Sequence, residues 1–563
     1  MEQTFMNQKK AVNIQNIIFP ILLLLFPLRH INQGIDISDT GYNLACFRYF
    51  GELDGMWVYV SYLANLVGHF FTKLPFGDTM LGMNLYCSLI VSLIALCAWF
   101  FLKDKIPDIV LFVGIALAEF LCWCPQVILY NYLTYLALMA GTILLYQGIV
   151  KNKRSLFVLA GLVLGLGVGA RFSNLTHMAL ILGLWYYAFL KRRRIREVIC
   201  DTVCCMGGYV AGIGAFLLMI EMQYGLAGYW DMLFGLQTMT DNAAGYSASD
   251  MILGAFIDYA GSMKWGILFL IYLALGLVLF GIKQGSYEKL KKVCYLIGFV
   301  VLLRLVYGRG MFGLDYNTYF SFFWWVCLFN VAAIVCCALA LFREDVSDEM
   351  KLLACLVLVT ILILPLGSNN RSHPVNNDLF LIAPVTLYFL QRFLPKSFPV
   401  RTVAAGCLAV LLVQSVNFGM TFVFRDGTFT EKRDTKVENN GILKGMYTTK
   451  SNADSLTSLT DYCEREGLRG QQVILYGDIP GISYVMDMPS AITSTWSNLE
   501  SYNMTFWERD FREVEAQMDS VRPVVMIGKL YEPTDGKAAS LQDFLDRYGY
   551  RLDFETDRIA VYR

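Results

Sequence analysis

Long apolar blocks, each of about 17 to 25 residues and separated by short charged loops, govern what this chain of 563 residues can become. A helix of about 20 residues crosses the roughly 30 Å of hydrocarbon in a bilayer. Inside hydrocarbon the backbone must satisfy its own hydrogen bonds, so such blocks fold as helices. The blocks fall at 12–30, 80–102, 106–125, 127–150, 155–171, 174–190, 198–220, 262–282, 293–308, 318–342, 350–366, 377–394 and 400–424. The expected architecture is therefore a polytopic α-helical membrane protein with about 13 transmembrane helices. Composition agrees: 56% of residues are hydrophobic and 16% charged, against about 25% charged in soluble domains. The 46 basic and 46 acidic residues balance, so no charge excess suggests a nucleic-acid partner.

Charge placement sets the expected orientation. With Lys9 and Lys10 kept inside, alternate loops carry Lys103 and Lys105, Lys151 to Arg154, Lys191 to Arg196, Lys283 to Lys292, Arg343 with Lys351, and Lys396 with Arg401. All are basic, and the intervening loops are poor in Lys and Arg, the positive-inside pattern. The N-terminus is then cytoplasmic, the first block is an uncleaved helix, and everything from about Arg425 lies outside. Basic inner loops and the absence of a sorting signal fit a bacterial plasma membrane.

Two units are expected: a multi-span body over 1–424, whose first outer loop (31–79) carries interfacial helices, and a small extracytoplasmic α/β domain over 425–563. In the tail, strand-like runs at Gln472–Tyr476, Pro523–Ile527 and Arg558–Tyr562 alternate with helical stretches near Ala453–Arg465, Phe506–Ser520 and Ser540–Tyr548. Neither a glycine-rich phosphate loop nor a nucleophile elbow occurs there. A second long outer segment, about Glu221 to Lys264, reads as a lid or vestibule wall. The 15 cysteines lie mostly in apolar runs, and Cys122-Trp123-Cys124 has the wrong spacing for a zinc pair, so no disulfide framework, structural metal or cofactor is called for.

Carboxylates at the edge of hydrocarbon persist where they face water, a partner or a substrate. Asp36 and Asp39 stand just after the first block, in Gly34-Ile35-Asp36-Ile37-Ser38-Asp39-Thr40-Gly41-Tyr42, followed by Ala45 and Arg48-Tyr49-Phe50-Gly51. Either could instead serve as a loop residue or helix cap. This stretch resembles the first outer loop of membrane-embedded glycosyltransferases of the GT-C class, especially the branch with protein O-mannosyltransferases and aminoarabinose transferases. Their motif reads Asp-Glu-x-x-Tyr and then Ala-Arg; here Thr40 replaces the Glu. The resemblance implies that Asp39 is the catalytic aspartate and that Tyr42 and Arg48 belong to the same motif. Many relatives place a second acid between the third and fourth spans, where this chain has Asn131.

A sugar on a polyprenyl phosphate presents its anomeric carbon at the membrane surface, so a catalyst must sit at that edge. An acceptor hydroxyl needs a base, and the departing phosphate needs cations. Arg171, Arg304, Arg309, Arg371 and His373, at outer ends of spans, are the candidate phosphate ligands. The expected function is transfer of a sugar, with inversion, from a polyprenyl-phosphate donor to a glycan, lipid or protein acceptor. The alternatives are a transporter or flippase of lipid-linked glycan, for which Glu119 within the third span would matter, and a non-catalytic membrane scaffold.

Overall fold

The computed structural model describes residues 15–53, 56–240, 248–282, 287–499, 502–531 and 536–563. Lys9, Lys10, Asp54 and Lys283 lie outside them. Six described helices are long and apolar enough to cross a membrane: Met80–Leu102, Leu129–Lys151, Ile195–Gln223, Ala248–Gly281, Phe323–Phe342 and Phe398–Thr421. The chain is thus a multi-pass membrane protein. Ile267, Leu270, Ile271, Leu275 and Val278 are all exposed on one of these helices. Such a surface is stable only against lipid.

The other expected spans are shorter or differently built. Block 174–190 is a 3-10 helix, Phe172–Ile181, running into Leu182–Leu190. Block 106–125 gives Asp108–Leu121, and block 377–394 gives Ile382–Phe393, which accommodates Pro384 in its first turn, where an N–H has no partner within the helix. Block 350–366 gives Asp348–Ile363, opened by Ser347, whose Oγ accepts the Met350 N–H at 3.4 Å. The second outer segment is also more regular than expected: Leu226–Thr240 is a helix, and Ala248–Gly281 begins well before the predicted span. Apolar length alone does not separate a full crossing from a half-crossing wedged between neighbours.

Close helix contact follows from small residues. A Cβ on Gly161 would lie 2.0 Å from the Cys205 carbonyl oxygen, and one on Gly208 would lie 2.1 Å from that of Val158. Helices Arg154–Ala170 and Ile195–Gln223 therefore meet backbone to backbone through glycines spaced four apart. Where these two helices begin, Arg193 and Arg154 approach the buried Asp201 at 2.8 and 3.4 Å.

The tail forms a four-stranded sheet of order β1-β2-β4-β3, with β1 Val473–Tyr476, β2 Val524–Gly528, β3 Leu552–Glu555 and β4 Ile559–Tyr562. β1 and β2 are parallel; β4 runs antiparallel to both β2 and β3. Side chains alternate between faces. Val473, Leu475, Met526 and Val561 join the core shared with Leu456 and Leu459, while Ile474, Tyr476 and Val525 pack with Trp507, Phe511 and Phe544 from the helices Met504–Gln517 and Lys537–Arg547. β3 is the strand the sequence pattern misses: it is a largely exposed edge, Leu552-Asp553-Phe554-Glu555, without the continuous apolar run of the other three strands.

The tail is pressed onto the loop that follows the first helix. Tyr447 N–H donates to the Asn32 carbonyl at 2.7 Å, Gly34 N–H returns to Tyr447 at 2.8 Å, and Gly481 N–H donates to Ile37 at 2.7 Å. Arg48 pairs with Asp487 at 2.7 Å. The stretch expected to carry interfacial helices contains helices Asp39–Arg48, Met56–Val60 and Tyr62–Thr72, with the tail over the first of them.

Candidate active site

The loop after the first helix turns around Asp36. Its carboxylate accepts the backbone N–H of Ser38 at 2.8 Å and of Thr40 at 2.7 Å, together with the Ser38 hydroxyl. The side chain is buried, and burial pushes its pKa up despite those hydrogen bonds. Asp36 thus ties the entrance of helix Asp39–Arg48, leaving Asp39 in its first turn with its carboxylate turned toward the tail.

Asp39 Oδ2 lies 3.7 Å from Arg425 Nη1, and the same nitrogen lies 3.3 Å from Asp478 Oδ2. The Asp39 side chain keeps 35% of its surface open to water, yet crowding raises its pKa to about 6; burial is the main cause, the charges of Asp36 and Asp478 add to it, and Arg425 opposes it. Burial also raises Asp478, against Arg425 and a hydrogen bond from Trp496. Ion pairs this exposed contribute only about 0–1 kcal/mol to stability. Their consequence here is orientation and charge state.

Arg425 and Asp478 both adopt left-handed backbone, at φ 47° and 64°. Such residues are uncommon outside glycine and cluster at functional sites. Gly477, at φ 96°, brings its backbone against Gly528, where a Cβ would meet the carbonyl oxygen at 2.6 Å. Asn498 Oδ1 accepts the Gly477 N–H at 2.6 Å. Trp496 packs 5.5 Å from Tyr42, ring to ring, on the adjoining turn of the Asp39 helix. Burial pushes the Tyr42 hydroxyl well above its usual range.

The other expected residues occupy three places. Arg171 donates to Asn131 Oδ1 at 3.3 Å and to Ser368 Oγ at 2.7 Å, and lies over the Tyr130 ring at 6.0 Å. Arg371 pairs with the buried Asp258 at 2.7 Å, and Ser372 donates to the same carboxylate. Arg171 and Arg371 therefore hold opposite ends of one short loop, Ser368 to Arg371. His373 is inserted among Trp123, Tyr319 and Phe323, at ring distances of 5.8, 5.5 and 5.2 Å. Arg304 and Arg309 are exposed at the end of helix Glu288–Gly308, and Arg304 lies 5.4 Å from the Tyr307 ring. Arg48 is engaged with Asp487.

Beneath the loop a cavity of about 30 Å³ is lined by Asp36, Thr40, Trp123, Gln126 and Phe424, among others. Arg425 follows Phe424 directly, so the cavity floor and the Asp39 rim share two chain segments. Arg425 and Asp478 are the residues that sequence reasoning passed over. Arg425 reads only as the point where the tail begins, and Asp478 only as part of a strand-to-helix turn.

No protein-family model and no curated protein matches the sequence. Among solved structures, the chain is similar to ArnT from Cupriavidus metallidurans bound to undecaprenyl phosphate, at 11% identity and TM-score 0.42 over 98% of each chain. It is also similar to the Archaeoglobus fulgidus oligosaccharyltransferase in complex with Zn and sulfate, at 12% identity and TM-score 0.47 over 91% of this chain and 68% of that one. The same enzyme tethered to an acceptor peptide gives 11% identity and TM-score 0.46 over 92% and 69%. With identities and TM-scores this low, the chemistry is read from the residues themselves.

Proposed function

We propose that this protein is an inverting glycosyltransferase that moves a sugar from a polyprenyl-phosphate donor to an acceptor hydroxyl at the outer face of a bacterial plasma membrane. The observation that carries the reading is Asp39: a partly water-facing carboxylate with its pKa raised to about 6, beside a guanidinium. A base poised there is ionised at neutral pH and still basic enough to take a proton. In the reaction the acceptor oxygen forms its bond to the anomeric carbon as its proton passes to Asp39. The bond to phosphate oxygen breaks, and the electron pair leaves with the polyprenyl phosphate. Inversion requires base and leaving group on opposite sides of the sugar. Arg171, at the end of helix Arg154–Ala170, and Arg371, in the loop that Arg171 contacts through Ser368, supply the cationic side, with Arg304, Arg309 and His373 as outlying candidates.

The body through 424 holds donor and base, and the tail from 425 stands outside the membrane over them. The pH profile tests the base. Because Asp39 must be ionised to act, activity should rise through about pH 6 and level off above it, and transfer that stays constant down to pH 4.5, well below that value, would remove Asp39 from the base role. Orientation is tested separately. A cysteine at the exposed Leu530 of the tail should react with a membrane-impermeant maleimide added to intact cells; protection until the cells are broken would place the tail inside.

A further inference from the structure

We infer that Asp478, carried by the tail, is a positioning residue of the transfer site: it shares Arg425 with Asp39, so the site is assembled from the membrane body and the tail together. The inference rests on reading Asp39 as the base. Its geometric ground is one guanidinium nitrogen between two carboxylates, 3.3 Å from Asp478 and 3.7 Å from Asp39.

Asp478 is not a chance surface acid. Its N–H and that of Gly477 both point at Asn498 Oδ1, at 3.3 and 2.6 Å. Trp496 hydrogen-bonds its carboxylate. The turn after it is fastened to the loop that bears Asp39, because Gly481 N–H donates to Ile37 at 2.7 Å and the Gly41 and Gly481 backbones touch. A left-handed aspartate is costly unless its surroundings hold it, and three sets of contacts hold this one.

The groups facing Asp39 are Asp36, Arg425 and Asp478, with Tyr42 nearby on the same helix. Those facing Asp478 are Arg425, Asp39 and Trp496. Asp36 is fixed by its own hydrogen bonds, so Arg425 is the group whose allegiance can change. With Asp478 present, Arg425 is divided between two anions and only partly neutralises Asp39. When Asp39 takes the acceptor proton, Arg425 still has Asp478 and stays in place for the next cycle.

The test uses the full-length protein in lipid nanodiscs. Dicyclohexylcarbodiimide attacks protonated carboxyl groups, and its adduct at Asp39 can be followed by mass spectrometry from about pH 4 to about pH 9, across the range in which a raised carboxyl titrates. Asp478→Asn keeps a residue that tolerates left-handed backbone. Removing the second anion leaves Arg425 to Asp39 alone, so the labelling midpoint should fall by about one pH unit, as expected for a carboxylate gaining an undivided cation. The acid limb of the transfer profile should move with it. Arg425→Gln should raise the midpoint, and in that background Asp478→Asn should produce a clearly smaller shift.

An unchanged midpoint in folded Asp478→Asn overturns the inference. If that variant does not fold, a midpoint unmoved by Arg425→Gln overturns it equally. A midpoint that moves while the acid limb stays fixed upholds the coupling and locates the failure in the assignment of Asp39 as base.

Discussion

Replacing Asp39 by Asn should slow sugar transfer by about 10²–10⁴-fold, the usual size of a lost general base. Asn matches the carboxylate in size but cannot take the acceptor proton. The pair with Arg425 is half exposed and contributes at most about 1 kcal/mol, so the thermal midpoint should barely move. Donor affinity should hold as well, because Arg171 and Arg371 lie on other segments of the chain. Asp36→Asn should behave in the opposite way. Its carboxylate accepts two backbone N–H groups and a hydroxyl inside the protein, and disturbing such a buried acceptor costs about 1–3 kcal/mol. Stability should drop while activity per folded molecule is largely kept. Kinetics and melting of the two variants, measured side by side, separate the base from the residue that builds its loop. Equal activity of Asp39→Asn and wild type would sink the assignment.

Gly41→Ala should be nearly as damaging, for a different reason. A Cβ at Gly41 would lie 2.4 Å from Gly481 Cα and 3.2 Å from the Asp36 carbonyl oxygen. Both are backbone atoms in hydrogen-bonded turns, so neither can swing aside as a side-chain end would. Overpacking of this kind costs about 1–3 kcal/mol, and here the strain falls on the joint between loop and tail. The expected result is an undocked tail: protease cleavage after Arg425 within residues that are protected in the wild type, and loss of most transfer activity. Gly214→Ala is the control, since a Cβ there meets nothing within 4 Å. A Gly41→Ala protein with wild-type proteolysis and activity would show that the tail need not sit on the loop.

Much of this arrangement is legible in the amino-acid sequence alone. Apolar block length marks the membrane body, because hydrocarbon permits little besides helices, and strand-like runs such as Gln472–Tyr476 mark the tail sheet. At blocks such as 174–190, which fold differently from a plain span, the missing information is whether neighbouring helices cover a short or wound segment. Edge strand β3 escapes because an exposed edge carries charged residues, here Asp553 and Glu555, in place of a continuous apolar run. Asp39 stands out through its place at the hydrocarbon edge. Arg425 and Asp478 do not, since their meaning lies in a contact between residues 53 apart in sequence. Gly477 hints at a special turn, but no local pattern says that this turn faces Asp39 rather than solvent. The roles of the two aspartates are likewise undecided by sequence, because either could cap the helix; the hydrogen bonds of Asp36 resolve which one does.

The most direct measurement is turnover by the purified full-length protein offered a panel of polyprenyl-phosphate sugars and hydroxyl-bearing glycan, lipid and peptide acceptors. Release of polyprenyl phosphate should match the formation of glycosylated acceptor one for one, the new linkage should have the inverted anomeric configuration, and both should disappear in Asp39→Asn. Intact lipid-linked sugar crossing a proteoliposome membrane, with no polyprenyl phosphate released from any donor in the panel, would contradict the account and identify a transporter instead.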